Sequence, residues 1–307
     1  MVSVPLLSIV ICTYNRANYL AKALAGIDRL ESGGMDWDAI IVDNGSSDST
    51  LKVARQWAAA DPARRRVVSE PVRGLSRARN RGWRESAARF VAYLDDDAIP
   101  QPGWCAALTD EISRDDGGTG MIGGRIEPIW EVPRPAWLSD RMVPFLSMLD
   151  YGEARRALGK DEGVVGANMA IARAALEQAG GFDEQLGRRG NRLISNEEAA
   201  LQHRLTALGW RAIYRPDMTV LHHAPAERVQ VGWFRRRFFW QGYSDRIAPR
   251  SDRMPGDGLP HTLRMAARYG RRAYQAPAGS PERLDATMDV AYYLGVAYGS
   301  VAARREG

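Results

Sequence analysis

A chain of 307 residues, 45% hydrophobic and 26% charged, has the composition of an ordinary globular protein with material for one large or two modest domains. That balance argues against a disordered or membrane-spanning chain, and no apolar run approaches the roughly 20 residues that cross a bilayer. The net charge of +5 suits an anionic partner without separating a nucleotide from a polyanion or an anionic lipid surface. Cys12 and Cys105 have neither metal-ligand nor redox spacing and fit a reducing compartment. The opening Met-Val-Ser-Val-Pro has no basic n-region, so no secretory leader is expected and a cytoplasmic location is.

In chain order, Leu6 to Cys12 reads as a buried strand that ends in the polar turn Thr13-Tyr14-Asn15-Arg16. A helix follows over about 18–30, with Leu20, Leu24 and Ile27 on one face. Ala39 to Val42 is a second buried strand, closed by Asp43-Asn44-Gly45-Ser46-Ser47-Asp48, and Asp48 reads as the N-cap of a helix to about Ala60. A short strand at 66–70 and a helix at 75–88 lead into Phe90-Val91-Ala92-Tyr93-Leu94. Strand–helix alternation with continuous apolar strands predicts an α/β fold with a mostly parallel central sheet flanked by helices. Ligands then sit outside the carboxyl ends of the strands, where Tyr14, Asp43 and Asp95 to Asp97 all fall.

The second half is less regular. A strand is expected at 121–126 and a long loop at 127–160, which holds Trp130, Trp137 and four prolines at 128, 133, 135 and 144. A strand at 163–171, a short helix to about Ala179, a helix at 197–208, a strand at 211–214 and an extended piece at 220–223 complete the set. From about Pro225 arginine and aromatic residues dominate, which reads as a C-terminal helical appendage over 226–307.

The residues that can carry chemistry are acidic. Asp95-Asp96-Asp97 closes a buried strand, and three like charges there repel one another unless something offsets them. A divalent cation does so, because hard oxygen ligands suit Mg2+, Mn2+ or Ca2+; a solvated turn capping the next helix is the plainer alternative. Asp43 can accept hydrogen bonds from a pyrimidine ring, or simply close an Asp-Asn-Gly turn. On the helix that begins near Ser195, helical spacing puts Glu198 near Leu205 in angle and Glu197 near Leu208. Both carboxylates therefore lean inward, either as a general base or as part of a helix-start capping box. Of His222 and His223, strand alternation allows at most one to reach a given site. Trp233 to Trp240 mixes aromatics with three consecutive arginines and suits a membrane interface, a diphosphate clamp or a partner surface, or in part ordinary core with a solvated basic face.

Ser8-Ile9-Val10-Ile11-Cys12-Thr13-Tyr14-Asn15-Arg16 resembles the opening strand and turn of glycosyltransferase family 2, the inverting nucleotide-sugar transferases of GT-A fold. Ile41 to Asp48 resembles that family's second strand, and Gly74 to Gly82 its third segment. Leu94-Asp95-Asp96-Asp97 with Pro100 is similar to its Asp-x-Asp motif. Gly166-Ala167-Asn168 and Gly180-Gly181-Phe182-Asp183 resemble its acceptor-side landmarks. The resemblance spans roughly residues 6 to 225 and implies a GT-A domain over 1–225. Its Rossmann-like nucleotide-binding half would occupy 1–100 and its acceptor and catalytic half 101–225.

What the resemblance implies for the site is specific. Nucleotide-sugar contacts would come from Thr13, Tyr14, Asn15, Arg16, Asp43, Arg73, Arg77, Arg79, Asp95 and Asp96. Mn2+ or Mg2+ would be held by Asp97 with Asp95 and, from its spacing to Pro225, His222. The catalytic base would be Glu198, standing where the family usually has Asp, with Glu197 as reserve. Asn168 would face the acceptor, a saccharide, lipid-linked or small molecule, together with Trp130 and Trp137, for which a core role is the alternative. UDP- or dTDP-sugar donors are favoured, nucleic acid is not expected as a partner, and peripheral contact at the inner membrane face could run through Trp233 to Trp240. A sugar nucleotidyltransferase is the alternative enzyme, although Thr13-Tyr14-Asn15-Arg16 is not the glycine-rich loop it needs. A catalytically silent glycan- or lipid-surface adaptor is the alternative outside catalysis.

Overall fold

Continuous apolar runs bounded by polar turns build the first half of the molecule. The structure is a computed structural model and describes residues 5–248 and 258–302. Strand β1 (Leu7–Thr13), helix α1 (Ala17–Ile27), β2 (Trp37–Asp43), α2 (Thr50–Ala59), β3 (Arg65–Ser69), α3 (Leu75–Glu85) and β4 (Phe90–Asp95) alternate as the pattern predicts. Helix α2 starts one residue later than expected: Ser49 takes the cap position, while Asp48 Oδ1 accepts the Thr50 N–H at 2.9 Å. After the turn at Asp96 and Asp97 come β5 (Ala98–Pro100), α4 (Trp104–Ser113) and β6 (Thr119–Trp130). The chain continues through a 3-10 turn at Val143–Leu146, β7 (Arg156–Ala157), β8 (Asn168–Ala172), α5 (Arg173–Ala179), α6 (Glu197–Ala207) and β9 (Arg211–Ala224). Helices α7 (Val231–Ile247), α8 (Leu259–Gln275) and α9 (Pro281–Ala302) follow.

The sheet has nine strands in the order β3-β2-β1-β4-β8-β6-β9-β5, with β7 beside β9. Its first half is parallel, β2 pairing with β1 and β3 and β1 with β4. The second half turns antiparallel, since β8 runs against β4 and β6, and β9 against β5 and β7. The sheet is thus mixed rather than parallel throughout, a feature that apolar runs cannot reveal because a run shows burial and not a partner's direction. Ile9, Val10, Ile11, Ile40, Ile41, Val91 and Ala92 are fully buried at its centre.

Two local expectations differ from the structure. The strand expected at 163–171 is confined to β8, because Gly163 and Gly166 lie in an irregular stretch that packs close to other groups. The Val164 N–H there donates to Gln202 Oε1 at 3.1 Å, and a Cβ on Gly166 would run into the Arg79 guanidinium. The two extended pieces expected near 211 and 220 are one strand, β9. Pro216 is tolerated because it lies between the residues that pair with β7 and those that pair with β5.

The chain divides into two compact units. The first comprises residues 1–129, 147–185 and 197–223; the second comprises 130–146, 186–196 and 224–307. The second unit therefore starts close to the expected change of composition but also takes in two inserted segments. In it α7 and α8 pack against α9. Gly242 and Gly295 allow the α7–α9 approach, since a Cβ on either would meet the backbone of the other helix. Part of the 233–240 run is core: Phe234 and Phe238 are buried, against Trp137 (ring centroids 5.7 Å apart) and Phe145 (4.3 Å). No helix among the described residues is long and apolar enough to cross a membrane.

Candidate active site

In-register parallel pairing brings the carboxyl ends of three strands to one edge of the first unit. Thr13 is level with Asp43, and Cys12 with Asp95. The turns that leave this edge are tied together. The Asn15 side-chain oxygen accepts the Ser47 N–H at 2.7 Å, and Asn15 itself sits at φ 52°, a left-handed conformation that asparagine tolerates. Asp43 is buried and its carboxyl oxygens accept the Ser46 N–H at 3.3 Å, so it closes its own turn with capacity to spare. Arg73 stacks over the Tyr14 ring, 4.3 Å from its centroid.

Antiparallel pairing supplies the histidine. Ala98 of β5 is level with His222 of β9, and the His223 N–H donates to the Asp97 carbonyl at 3.0 Å. That register puts His222 Nε2 3.0 Å from Asp97 Oδ1 and 3.8 Å from Asp95 Oδ2. His223 points the other way, its ring edge-on to Tyr19 at 5.1 Å. Asp95, Asp97 and His222 each offer a donor atom, all within 4.8 Å of one another. His222 is fully buried, yet neither ring nitrogen makes an aligned hydrogen bond, and Asp95 remains 31% exposed on its side chain, open to a ligand. Two carboxylates and one imidazole suit Mn2+ or Mg2+ at a substrate-accessible site, so the donor set fits a divalent cation.

The electrostatics of protein groups alone show how strained this cluster is. Burial disfavours the His222 imidazolium, but the Asp97 charge and contacts with both carboxylates raise its pKa to about 9. Burial also opposes ionisation of Asp95, and is outweighed by His222 and Arg79, which hold its carboxyl below the usual range. Asp96 goes the other way: burial and the Asp97 charge raise it to about 7, although Arg16 and the Thr13 hydroxyl, 2.7 Å away, favour its ionised form. Arg16 pairs with Asp97 and lies 3.5 Å from Asp96, making it the counter-ion of the triple-aspartate turn.

Beside this cluster the other carboxylates gather around a buried arginine. Arg79 of α3 is 2% exposed; its Nη1 lies 2.8 Å from Glu197 Oε1 and its Nη2 3.6 Å from Asp95 Oδ1. Arg79, expected among the nucleotide-sugar contacts, is held internally between the two acidic groups by the fold. Arg77 likewise pairs with Glu184 at 3.0 Å. Glu197 is buried, and burial together with the adjacent Glu198 raises its carboxyl to about 7 against the pull of Arg79. Glu198 is half-buried, with Oε1 accepting the Gly166 N–H at 3.3 Å and Oε2 left without a hydrogen-bond partner. Glu197 Oε2 lacks a hydrogen-bond partner as well, so the two differ at Oε1, which is paired with Arg79 in Glu197 and meets only a backbone N–H in Glu198.

Asn168, expected to face the acceptor, is fully buried. Its amide donates to the carbonyls of Arg125 (3.0 Å) and Met218 (2.6 Å), and its oxygen accepts the Trp104 indole N–H at 2.8 Å. Those bonds consume its donors, so it pins β8 to its neighbours instead of presenting to a ligand. Trp130 and Trp137 belong to the second unit, with Trp137 packed on Phe234. Sequence reasoning missed Arg79 as the link between the two carboxylate groups. Nothing local in the sequence marks it; only in the fold does the missing side chain of Gly166 make room for its guanidinium.

The sequence profile described as glycosyl transferase family 2 matches residues 8–180. The glucosyl-dolichyl phosphate glucuronosyltransferase of Haloferax volcanii is 26% identical over 241 residues, covering 78% of this chain and 76% of that protein. Among solved structures, a mannosyltransferase from Pyrobaculum calidifontis in complex with GDP-Man and Mn2+ superposes with a TM-score of 0.57 at 18% identity, over 100% of this chain and 76% of that one. GalNAc-T7 with UDP, GalNAc and Mn2+ gives 0.56 at 17% identity, over 83% of this chain and 52% of that one. These structural likenesses are likenesses of fold, which is the GT-A arrangement. With more than half its length matched by the profile, the chain belongs to glycosyl transferase family 2.

Proposed function

We propose that this glycosyltransferase moves a sugar from a nucleoside diphosphate donor to an acceptor hydroxyl in one displacement, with inversion, and depends on Mn2+ or Mg2+. The observation that carries the reading is the Asp95–Asp97–His222 cluster joined through Arg79 to Glu197 and so to Glu198, the next residue on α6. When bound there, a divalent cation supplies positive charge against the diphosphate leaving group. Mn2+ accompanies GDP-Man in one structural relative and UDP with GalNAc in the other, which supports that choice of ion.

The chain's own groups divide the remaining work. Glu198 takes the proton of the attacking hydroxyl, because it is the less buried of the two and its Oε1 meets only a backbone N–H, while Glu197 is committed to Arg79. Arg79 and Glu197 position Asp95 and the start of α6. Asp43 binds the base with its remaining acceptor capacity, and Thr13, Tyr14, Asn15, Arg16 and Arg73 line the donor side of the strand edge. A UDP- or dTDP-sugar is favoured, and the acceptor is a saccharide, a lipid-linked sugar or a small molecule.

Calorimetric titration with UDP, dTDP and GDP, each with and without Mn2+, tests the donor and metal assignments together. Metal-dependent binding of a pyrimidine diphosphate is expected, lost in Asp97→Asn. Binding that ignores metal, or survives unchanged in that variant, overturns the reading.

A further inference from the structure

Within the second unit lies an open cavity of about 440 Å3 to which the proposed transfer step assigns no role. That volume falls inside the range of small-ligand pockets, about 300–1,000 Å3. Its walls come from α7, α8, α9 and the segment around the 3-10 turn at Val143–Leu146. The aromatic lining is ordered: Tyr269 and Tyr293 lie nearly parallel, 17° apart with centroids 5.6 Å apart, and Phe145 faces the cavity from the opposite segment.

The polar lining narrows the ligand. Arg141 and Arg237 face the cavity together with Asp245 and Asp289, so the formal charges cancel. Arg141 is salt-bridged to Asp289, and Arg237 sits over the Phe145 ring at 5.3 Å. Asp245 already accepts the Tyr292 hydroxyl at 2.7 Å and the Gln241 amide at 3.0 Å, which fixes its carboxylate in place. A phosphate or carboxylate ligand calls for surplus positive charge, and these four groups provide none. A hydrocarbon tail would strip water from four charged groups and return nothing to them. What remains is a neutral ligand with one apolar face and several hydroxyls around its edge. A sugar ring has that form: its C–H face lies on an aromatic ring, and each hydroxyl can donate to a carboxylate while accepting from a guanidinium.

We infer that this cavity is a saccharide-binding site for a sugar unit of the acceptor rather than for the donor sugar. The acceptor assignment rests on the transferase reading; the binding of a saccharide does not.

The test uses the full chain, fluorescently labelled, on a printed array of mono- and oligosaccharides. Each glycan retained by the wild type is then titrated against Arg141→Ala, Tyr293→Ala and Asp97→Asn. Binding is expected to weaken by about tenfold or more in the two cavity variants and to persist in Asp97→Asn. UDP binding with Mn2+ should show the reverse pattern, so a failure of the transferase reading and a failure of this one appear in different columns. Should Tyr293→Ala not fold, Asp289→Asn keeps the shape of the wall and removes one charge. Retention of no glycan, cavity variants that bind as the wild type does, or competition by inorganic phosphate each overturns the proposal.

Discussion

Arg79 and Glu197 stand 118 residues apart in sequence and 2.8 Å apart in space, both almost completely buried. The pair joins α3 to the first turn of α6 and holds the Arg79 guanidinium 3.6 Å from Asp95. A buried pair of this kind adds little net stability relative to an apolar replacement, but it is costly to break from one side, because the remaining charge has no partner and no water.

Arg79→Met should therefore destabilise the protein by roughly 3–5 kcal/mol at pH 8. The loss should shrink toward pH 5, where Glu197 can take up a proton instead of remaining charged. Combining it with Glu197→Gln should recover much of the stability. Urea unfolding of the three variants checks this, and a double variant as unstable as the sum of the singles would show that the two residues do not act as a pair.

How much of this was legible in the sequence depends on the kind of feature. β1, β2 and β4 were readable because each is a continuous apolar run that ends in a polar turn, and parallel packing brings the ends of such runs to one edge. The choice of His222 over His223 follows from two-residue alternation once Ala98 and His222 are in register, yet the register itself is a property of the β5–β9 pairing. The internal role of Arg79 was illegible for a physical reason. Gly74 to Gly82 carries three arginines, and nothing local marks the one whose neighbour across the fold is a glycine. The antiparallel half of the sheet was hidden likewise, since burial patterns do not record direction. The second unit's claim on 130–146 and 186–196 is a long-range packing outcome of the same sort.

Asn168 offers a clean separation of structure from substrate binding. Asn168→Ala strands two backbone carbonyls and the Trp104 indole N–H, at about 1–3 kcal/mol for each buried group left unsatisfied. The expected result is a lower midpoint in denaturant with acceptor KM unchanged while the protein is folded. A raised KM at unaltered stability would return this residue to the acceptor site.

Glu198→Gln removes the proposed base while keeping the Gly166 contact sterically intact. Turnover is expected to fall by about 10²–10⁴, with donor binding unaffected. Glu197→Gln, by contrast, perturbs a positioning group, so its loss should appear partly in stability and partly in metal affinity. Single-turnover rates beside nucleotide titrations distinguish the two. Full activity in the Glu198 variant would transfer the base role to Glu197.

The Glu197 carboxyl makes stability depend on pH in a defined direction. In the folded protein burial and Glu198 raise it to about 7 from the usual 4.5, with Arg79 opposing, while Asp95 lies on the far side of that arginine. Between those two values the folded state binds more protons than the unfolded chain, so stability falls as pH rises. This contribution is fully present below about pH 4.5 and gone above about pH 7. Glu197→Gln removes the titration and mimics the protonated form. Thermal melts of both proteins from pH 4.5 to 8 should show the wild type losing ground to the variant as pH rises, with the gap levelling off above neutrality. A gap that stays constant, or one that widens in the wild type's favour at high pH, would mean that Arg79 keeps Glu197 ionised throughout.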